Sequence, residues 1–180
     1  MAHFRGVAEA TDLPIMIYNN RVAYKVDLTP ESFVELSDVD NIIAVKESSH
    51  DSRRITDMYN ACKDRYQMFC GVDDLVLENV LFGAQGWVAG LVNSFPKESV
   101  RLFELAREGR VDEALEIYRW FMPLLHLDVD VKLVQMIKLA NQITGEGTEW
   151  VRRPRLTLEG DERAMVTAVV EEALANRPNL

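Results

Sequence analysis

Ile42-Ile43-Ala44-Val45-Lys46-Glu47-Ser48-Ser49 is the stretch on which the fold turns. Four apolar residues, three of them β-branched, run without polar alternation into a lysine and then a polar segment. Strands buried on both faces of a parallel sheet read this way. Three similar runs flank it: Pro14-Ile15-Met16-Ile17-Tyr18, Tyr66-Gln67-Met68-Phe69-Cys70 and Trp87-Val88-Ala89-Gly90-Leu91-Val92. The runs begin at residues 14, 42, 66 and 87, which leaves room for one crossover helix each time. Helix signals fill the intervals. Thr29 is a candidate N-cap with Pro30 at the first helical position. Asp51 opens a second helix, where Ile55, Met58, Tyr59 and Cys62 share one face. Asp73 or Asp74 opens a third, ending near Gly83. Repeated βα units predict an α/β fold with right-handed crossovers.

After Pro96 the strand signals stop. Val111, Leu115, Tyr118, Met122 and Leu125 mark one helix, set off by Gly109 and expected to kink at Pro123. Leu133, Ile137 and Ala140 mark another, ended by Gly145 and Gly147. Val166, Val169, Val170, Ala173 and Leu174 mark the last, and Trp150 to Leu158 reads as an extended link. The expected organisation is residues 1–95 as four βα units and 96–180 as helices, with no linker between them.

Composition narrows the function classes. The 180 residues are 48% hydrophobic and 27% charged, enough apolar material for a real core. The net charge of −9 repels phosphate backbones and anionic lipid, so nucleic acid and membrane surfaces are poor partners. No apolar run approaches the roughly 20 residues that span a bilayer. The N-terminus lacks a signal-peptide layout, and Cys62 and Cys70 are too few for a disulfide scaffold or a four-cysteine zinc site. These features predict a cytoplasmic protein.

In parallel α/β folds reactive groups gather where strands end. The four ends read Tyr18-Asn19-Asn20, Lys46-Glu47-Ser48-Ser49, Gly71-Val72-Asp73-Asp74 and Asn93-Ser94. An ammonium emerging from four apolar residues is poorly solvated, which favours the neutral amine, a nucleophile toward carbonyl carbon. Tyr18, one strand away, is placed to move a proton. The bland alternatives are a Lys46–Glu47 surface ion pair and a core Tyr18 with a satisfied hydroxyl. Ser48, Ser49, His50 and Asp51 carry hydrolase residue types, but adjacent residues seldom face one another as a triad requires. His3, His50 and His126 lack metal-ligand spacing, so no metal is expected; Asp73-Asp74 reads better as a helix-capping pair, and Cys70 as a small buried hydrophobe.

These strand ends resemble a known family. Leu13 to Asn20, with Tyr18, is similar to the tyrosine motif of the dihydrodipicolinate synthase / N-acetylneuraminate lyase family, and Ile42 to Ser48 resembles its Schiff-base lysine strand. Phe69 to Asp74 and Gly83-Ala84-Gln85-Gly86-Trp87-Val88 resemble the next two strands. The resemblance implies the C-terminal half of a (β/α)8 barrel, strands five to eight, followed by a helical region. It implies Lys46 and Tyr18 as catalytic residues, Gly71 and Val88 at the substrate, no cofactor beyond the covalent Schiff base, and a homo-oligomer, a tetramer in the family. The substrate class is a small 2-oxo acid or cyclic imine.

Two departures are visible. Arg21 stands where the family has proline, three residues after the tyrosine, which is expected to free that loop. Ala23 stands where the synthase has an arginine that clamps its semialdehyde. Arg53 to Asp57, Gly71 to Leu75 and Trp120 to Asp128 look more like the bacterial deaminase of 1-pyrroline-4-hydroxy-2-carboxylate, whose products are 2,5-dioxopentanoate and ammonia. The alternatives are 4-hydroxy-tetrahydrodipicolinate synthase, an aldolase or dehydratase of 2-keto-3-deoxy sugar acids, and a non-enzymatic assembly piece. A complete barrel needs about 250 residues. The chain therefore reads as a fragment that is expected to be inactive alone and to self-associate through open sheet edges, with Ile43 or Val45 and Phe69 facing the missing wall.

Overall fold

Three of the four apolar runs pair as β-strands near their expected limits. The structure is a computed structural model describing residues 1–180, and it divides into two units, Met1–Val88 and Ala89–Leu180. In chain order the first unit contains α1 (Ala2–Glu9), β1 (Ile15–Asn19), α2 (Arg21–Tyr24), α3 (Pro30–Glu35), β2 (Ile42–Glu47), α4 (Arg53–Cys62), β3 (Gln67–Cys70), α5 (Val76–Leu81) and β4 (Gly86–Trp87). The four strands form one parallel sheet in the order β1-β2-β3-β4. Consecutive parallel neighbours joined through helices are the arrangement that the run spacing predicts.

The register assigns the two faces. Ile17, Val45 and Met68 are aligned across three strands and all buried. Met16, Tyr18, Lys46, Gln67 and Phe69 alternate with them and are exposed or half-buried. Phe69 therefore lies on Lys46's face as expected, whereas Val45 lies on the opposite one. The β1–β2 ladder contains one irregularity: Ile15 pairs with Ile42, but Met16 pairs with Ala44, leaving Ile43 without a counterpart. Phe33, Leu36, Ile55 and Met58 from the helical side add wholly buried side chains to the core, each worth about 1.5–3 kcal/mol on burial. Tyr66 closes one end of that core, its hydroxyl donating to the Phe33 carbonyl at 2.8 Å and its ring meeting Phe33 edge-on.

The fourth strand departs from expectation. Only Gly86 and Trp87 pair, and the chain then enters a 3-10 turn over Leu91–Asn93. This strand has β3 as its one ladder partner. Asn93 and Ser94 are consequently not the end of a strand: Asn93 closes the 3-10 turn, Ser94 is buried, and its hydroxyl donates to Asn141. Gly90 is held close, since a Cβ there would lie 2.1 Å from Asp128 Oδ1.

The second unit is helical: α6 (Pro96–Arg107), α7 (Val111–Leu125), α8 (Leu133–Thr144) and α9 (Gly160–Ala175). Gly109 (φ 73°) and Gly145 (φ 82°) take left-handed backbone at the ends of α6 and α8, where glycine carries no Cβ penalty. Pro123 does not break α7, which runs on to Leu125 before tightening over His126–Asp128. Phe95, Phe121, Leu102, Leu124, Leu125, Val166 and Val170 form the core of this unit. Trp120 stacks on Phe121 and donates its indole N–H to the Ala173 carbonyl. No helix is long and apolar enough to cross a membrane.

Candidate active site

Tyr18 and Lys46 are register partners at the carboxyl ends of β1 and β2. The Lys46 Nζ lies 4.1 Å from the centre of the Tyr18 ring, over its electron-rich face. Tyr18 is 40% exposed, so it is not a core aromatic. Its hydroxyl accepts a 2.9 Å hydrogen bond from Asn20 Nδ2, and its ring is met edge-on by Tyr24 at 5.6 Å. Asn20 also caps α2, accepting from the Ala23 N–H at 2.9 Å. The last residue of the tyrosine motif thus holds both the phenol and the short helix that carries Tyr24.

The Lys46–Glu47 ion pair is not formed, because consecutive strand residues point to opposite faces. Lys46 turns toward Tyr18, and Glu47 is buried on the helical side. Gly71, at the end of β3, supplies room for the lysine stem. A Cβ there would stand 2.8 Å from Lys46 Cγ and Cε and 2.0 Å from Ser48 Oγ. Val88 follows β4 at the same edge, 41% exposed, its N–H bonded to the Cys70 carbonyl. Ser48 and Ser49 are both buried, and their hydroxyls have no hydrogen-bond partner. Two adjacent orphaned hydroxyls are unusual in a folded interior, where buried polar atoms are nearly always bonded.

The hydrolase residue types do not converge. His50 is exposed in left-handed backbone (φ 59°), and Asp51 is committed to Arg53. The Arg53 side-chain bond holds the Asp51 carboxyl down at about 2. Asp51 also accepts from the Arg53 N–H, but Ser52 rather than Asp51 stands at the cap position of α4. Cys70 is buried, and burial pushes its thiol up to about 12, which leaves it inert.

Arg21 corrects one expectation. Rather than freeing its loop, it begins α2 and donates through Nε to the Ser49 carbonyl at 3.2 Å. One restraint has replaced another. Ala23 sits in α2 and offers no side-chain donor for a carboxylate.

A buried network behind the pair was not visible in the sequence. Asn19 Nδ2 lies 2.9 Å from Glu47 Oε2, 3.2 Å from Asp27 Oδ1 and 3.1 Å from the Leu28 carbonyl. Arg54, itself buried, donates to Asp27 at 2.8 Å and to the Leu28 carbonyl at 3.2 Å. Burial raises the Glu47 carboxyl above the usual carboxylate range, only partly opposed by bonds from Asn19 and Ser49. Burial pushes Asp27 the same way, but the bonds from Arg54 and Asn19 win and hold it low.

Fold and site together define a parallel α/β protein with an amine–phenol pair at the carboxyl edge of its sheet, the place where such folds carry their chemistry. Comparison with known proteins identifies which one: the chain belongs to the dihydrodipicolinate synthetase family, whose model matches residues 1–173. The 4-hydroxy-tetrahydrodipicolinate synthase 2 of Halalkalibacterium halodurans is 29% identical over 171 residues, covering 95% of this chain and 59% of the relative. Its counterpart in Listeria monocytogenes is 29% identical over 170 residues, covering 94% and 58%. Among solved structures, the dihydrodipicolinate synthase of Aquifex aeolicus superposes with a TM-score of 0.88 at 26% identity, covering 94% of this chain and 58% of that one. The 4-hydroxy-tetrahydrodipicolinate synthase of Methylacidiphilum fumariolicum gives 0.85 at 26%, covering 97% and 60%. The chain thus spans under two thirds of the length of these relatives.

Proposed function

We propose that Lys46 forms a Schiff base with C2 of a small 2-oxo acid or cyclic imine, and that Tyr18 moves the proton to and from the carbinolamine. The observation that carries this reading is the register pairing that sets the Lys46 amine 4.1 Å from the Tyr18 ring at the carboxyl edge of the sheet. The neutral amine attacks C2, the carbinolamine oxygen leaves as water after protonation, and the iminium then acts as an electron sink. No separate cofactor is needed. In this reading the four strands are strands five to eight of a (β/α)8 barrel, Gly71 and Val88 border the substrate, and the protein works as a homo-oligomer.

For substrate, we favour 1-pyrroline-4-hydroxy-2-carboxylate. Lys46 attacks C2 of the ring imine, and transimination opens the ring and frees the C5 amine. The 4-hydroxyl leaves as water, and the resulting C5 imine and the Lys46 imine are each hydrolysed. The net reaction consumes one water and yields 2,5-dioxopentanoate and ammonia. Ala23, in place of a clamping arginine, supports this choice. The names of the relatives favour the second reading, 4-hydroxy-tetrahydrodipicolinate synthase. Borohydride reduction in the presence of pyruvate should add a three-carbon adduct at Lys46, and K46A should show none; equal labelling of K46A overturns the lysine assignment. Ammonia release from the hydroxylated pyrroline separates the deaminase from the synthase, which instead condenses pyruvate with aspartate semialdehyde.

A further inference from the structure

Asn19 and Glu47 each follow a member of the reactive pair by one residue, and the ladder sets them opposite one another as well. Alternation turns them to the helical face, where their neighbours Ile17, Val45 and Cys70 are apolar and buried. Both are themselves buried, 1% and 3% exposed. An amide and a carboxyl in such a place cost desolvation that two apolar side chains would not, so stability alone does not account for them.

What they do is tie four pieces of backbone together. Asn19 Oδ1 accepts from the Leu28 N–H at 3.0 Å while Nδ2 reaches Glu47, Asp27 and the Leu28 carbonyl, so the segment after α2 is fastened to the end of β1. The second Glu47 oxygen accepts from the Ser49 N–H at 2.8 Å, fastening the turn after β2. The first of these segments follows Tyr24, whose ring flanks Tyr18, and the second contains Ser48, which flanks the lysine stem across Gly71.

We propose that the Asn19–Glu47 bridge is a positioning device that keeps the Tyr18 ring against the Lys46 amine. The reading of these two as the reactive pair comes from the proposed function; the geometric claim is separable from it. A brace of this kind matters because a displacement of about 1 Å in a reacting group can cost on the order of 10²-fold in rate.

The test uses the full 180-residue chain. An amine seated over an aromatic face places the Lys46 ε-methylene protons in the ring current, shifting them upfield, and Y18L supplies the unshifted reference. N19L/E47L, which fills the same space without polar atoms, should keep its circular dichroism spectrum. It should also move the ε-methylene resonance to the Y18L position and slow borohydride trapping of pyruvate at least about tenfold. Should the apolar pair fail to fold, N19D alone sets two carboxyls against each other and should give the same displacement. N19D/E47Q should reverse much of it, since the amide at position 47 then donates to the carboxylate at position 19 while still accepting from Ser49. An upfield resonance unchanged in folded N19L/E47L or in N19D overturns the brace. Absence of pyruvate trapping by the unaltered chain overturns the reactive-lysine reading, while the resonance still decides the brace.

Discussion

The end of one strand pair presents two successive couples of side chains with opposite characters. Tyr18 and Lys46 face the less buried side, touching ring to amine, whereas Asn19 and Glu47, one residue further, are buried and bonded on all sides. Sequence places the couples side by side; the pleat sends them to different solvents. Under the proposed function, reactivity and restraint are divided between the faces of the sheet, so a substitution should act on chemistry or on stability according to its parity.

The strongest test of that division is at the reactive couple. K46A should abolish covalent trapping outright, and Y18F should slow it by on the order of 10² to 10⁴, both with little change in thermal midpoint; a large loss of stability in either would blur the contrast. On the other face Ile17→Ala should destabilise by about 2–5 kcal/mol, while Met16→Ala, beside it but 40% exposed, should cost about 0.5 kcal/mol. Chemical denaturation of the two variants reads the difference directly. Comparable losses would show that the faces are not unequal.

Gly71→Ala should cross the divide. The added carbon meets Ser48 Oγ and the Lys46 stem, so overpacking of about 1–3 kcal/mol should accompany a loss of trapping. Stability without trapping, or the reverse, would show that lysine and serine can shift apart.

The smallest effects are in pH dependence. Burial raises the folded Glu47 carboxyl above its ordinary value. Its contribution is therefore full below the usual carboxylate range and is lost as pH rises through the raised folded value. E47Q removes that loss, so the stability of E47Q relative to the unaltered chain should grow with rising pH across that interval. Asp27, held low by Arg54 and Asn19 against burial, runs the other way. Its contribution is present above the ordinary aspartate value and disappears as pH falls through the lowered one, and D27N should flatten that acid limb. Urea midpoints measured across the acid range check both signs.

How much of this was legible depends on how local each feature is. The runs at Ile15–Tyr18, Ile42–Lys46 and Gln67–Cys70 announce themselves because strand identity is written in consecutive residues. The run at 87–92 misled because Leu91 and Val92 are apolar for another reason: Leu91 is wholly buried in a 3-10 turn of the second unit. The short helix α1 gives no such signal, its few apolar residues spread through Ala2–Glu9 with a glycine among them. Lys46 and Tyr18 stood out by position and by family motif. The Asn19–Asp27–Arg54–Glu47 network did not, since it joins four segments whose separations follow no period and whose meeting requires the strand register. Gly71 was marked by resemblance alone; the structure adds the clearance it gives Lys46.

The unmatched Ile43 has a consequence of its own. Strand ladders keep count in twos, and one supernumerary residue changes odd to even for everything downstream. With Ile15 set against Ile42 and Met16 against Ala44, the ladder absorbs that residue before Tyr18 and Lys46 are reached. A regular ladder from the same start, with Ile43 paired to Met16, would set Val45 opposite Tyr18 and Lys46 opposite Asn19, beneath the helices. The composition would be unchanged and the Lys46 amine would be on the wrong side of the sheet. The site is thus stored partly as an error in counting, and that error is one the chain is obliged to keep.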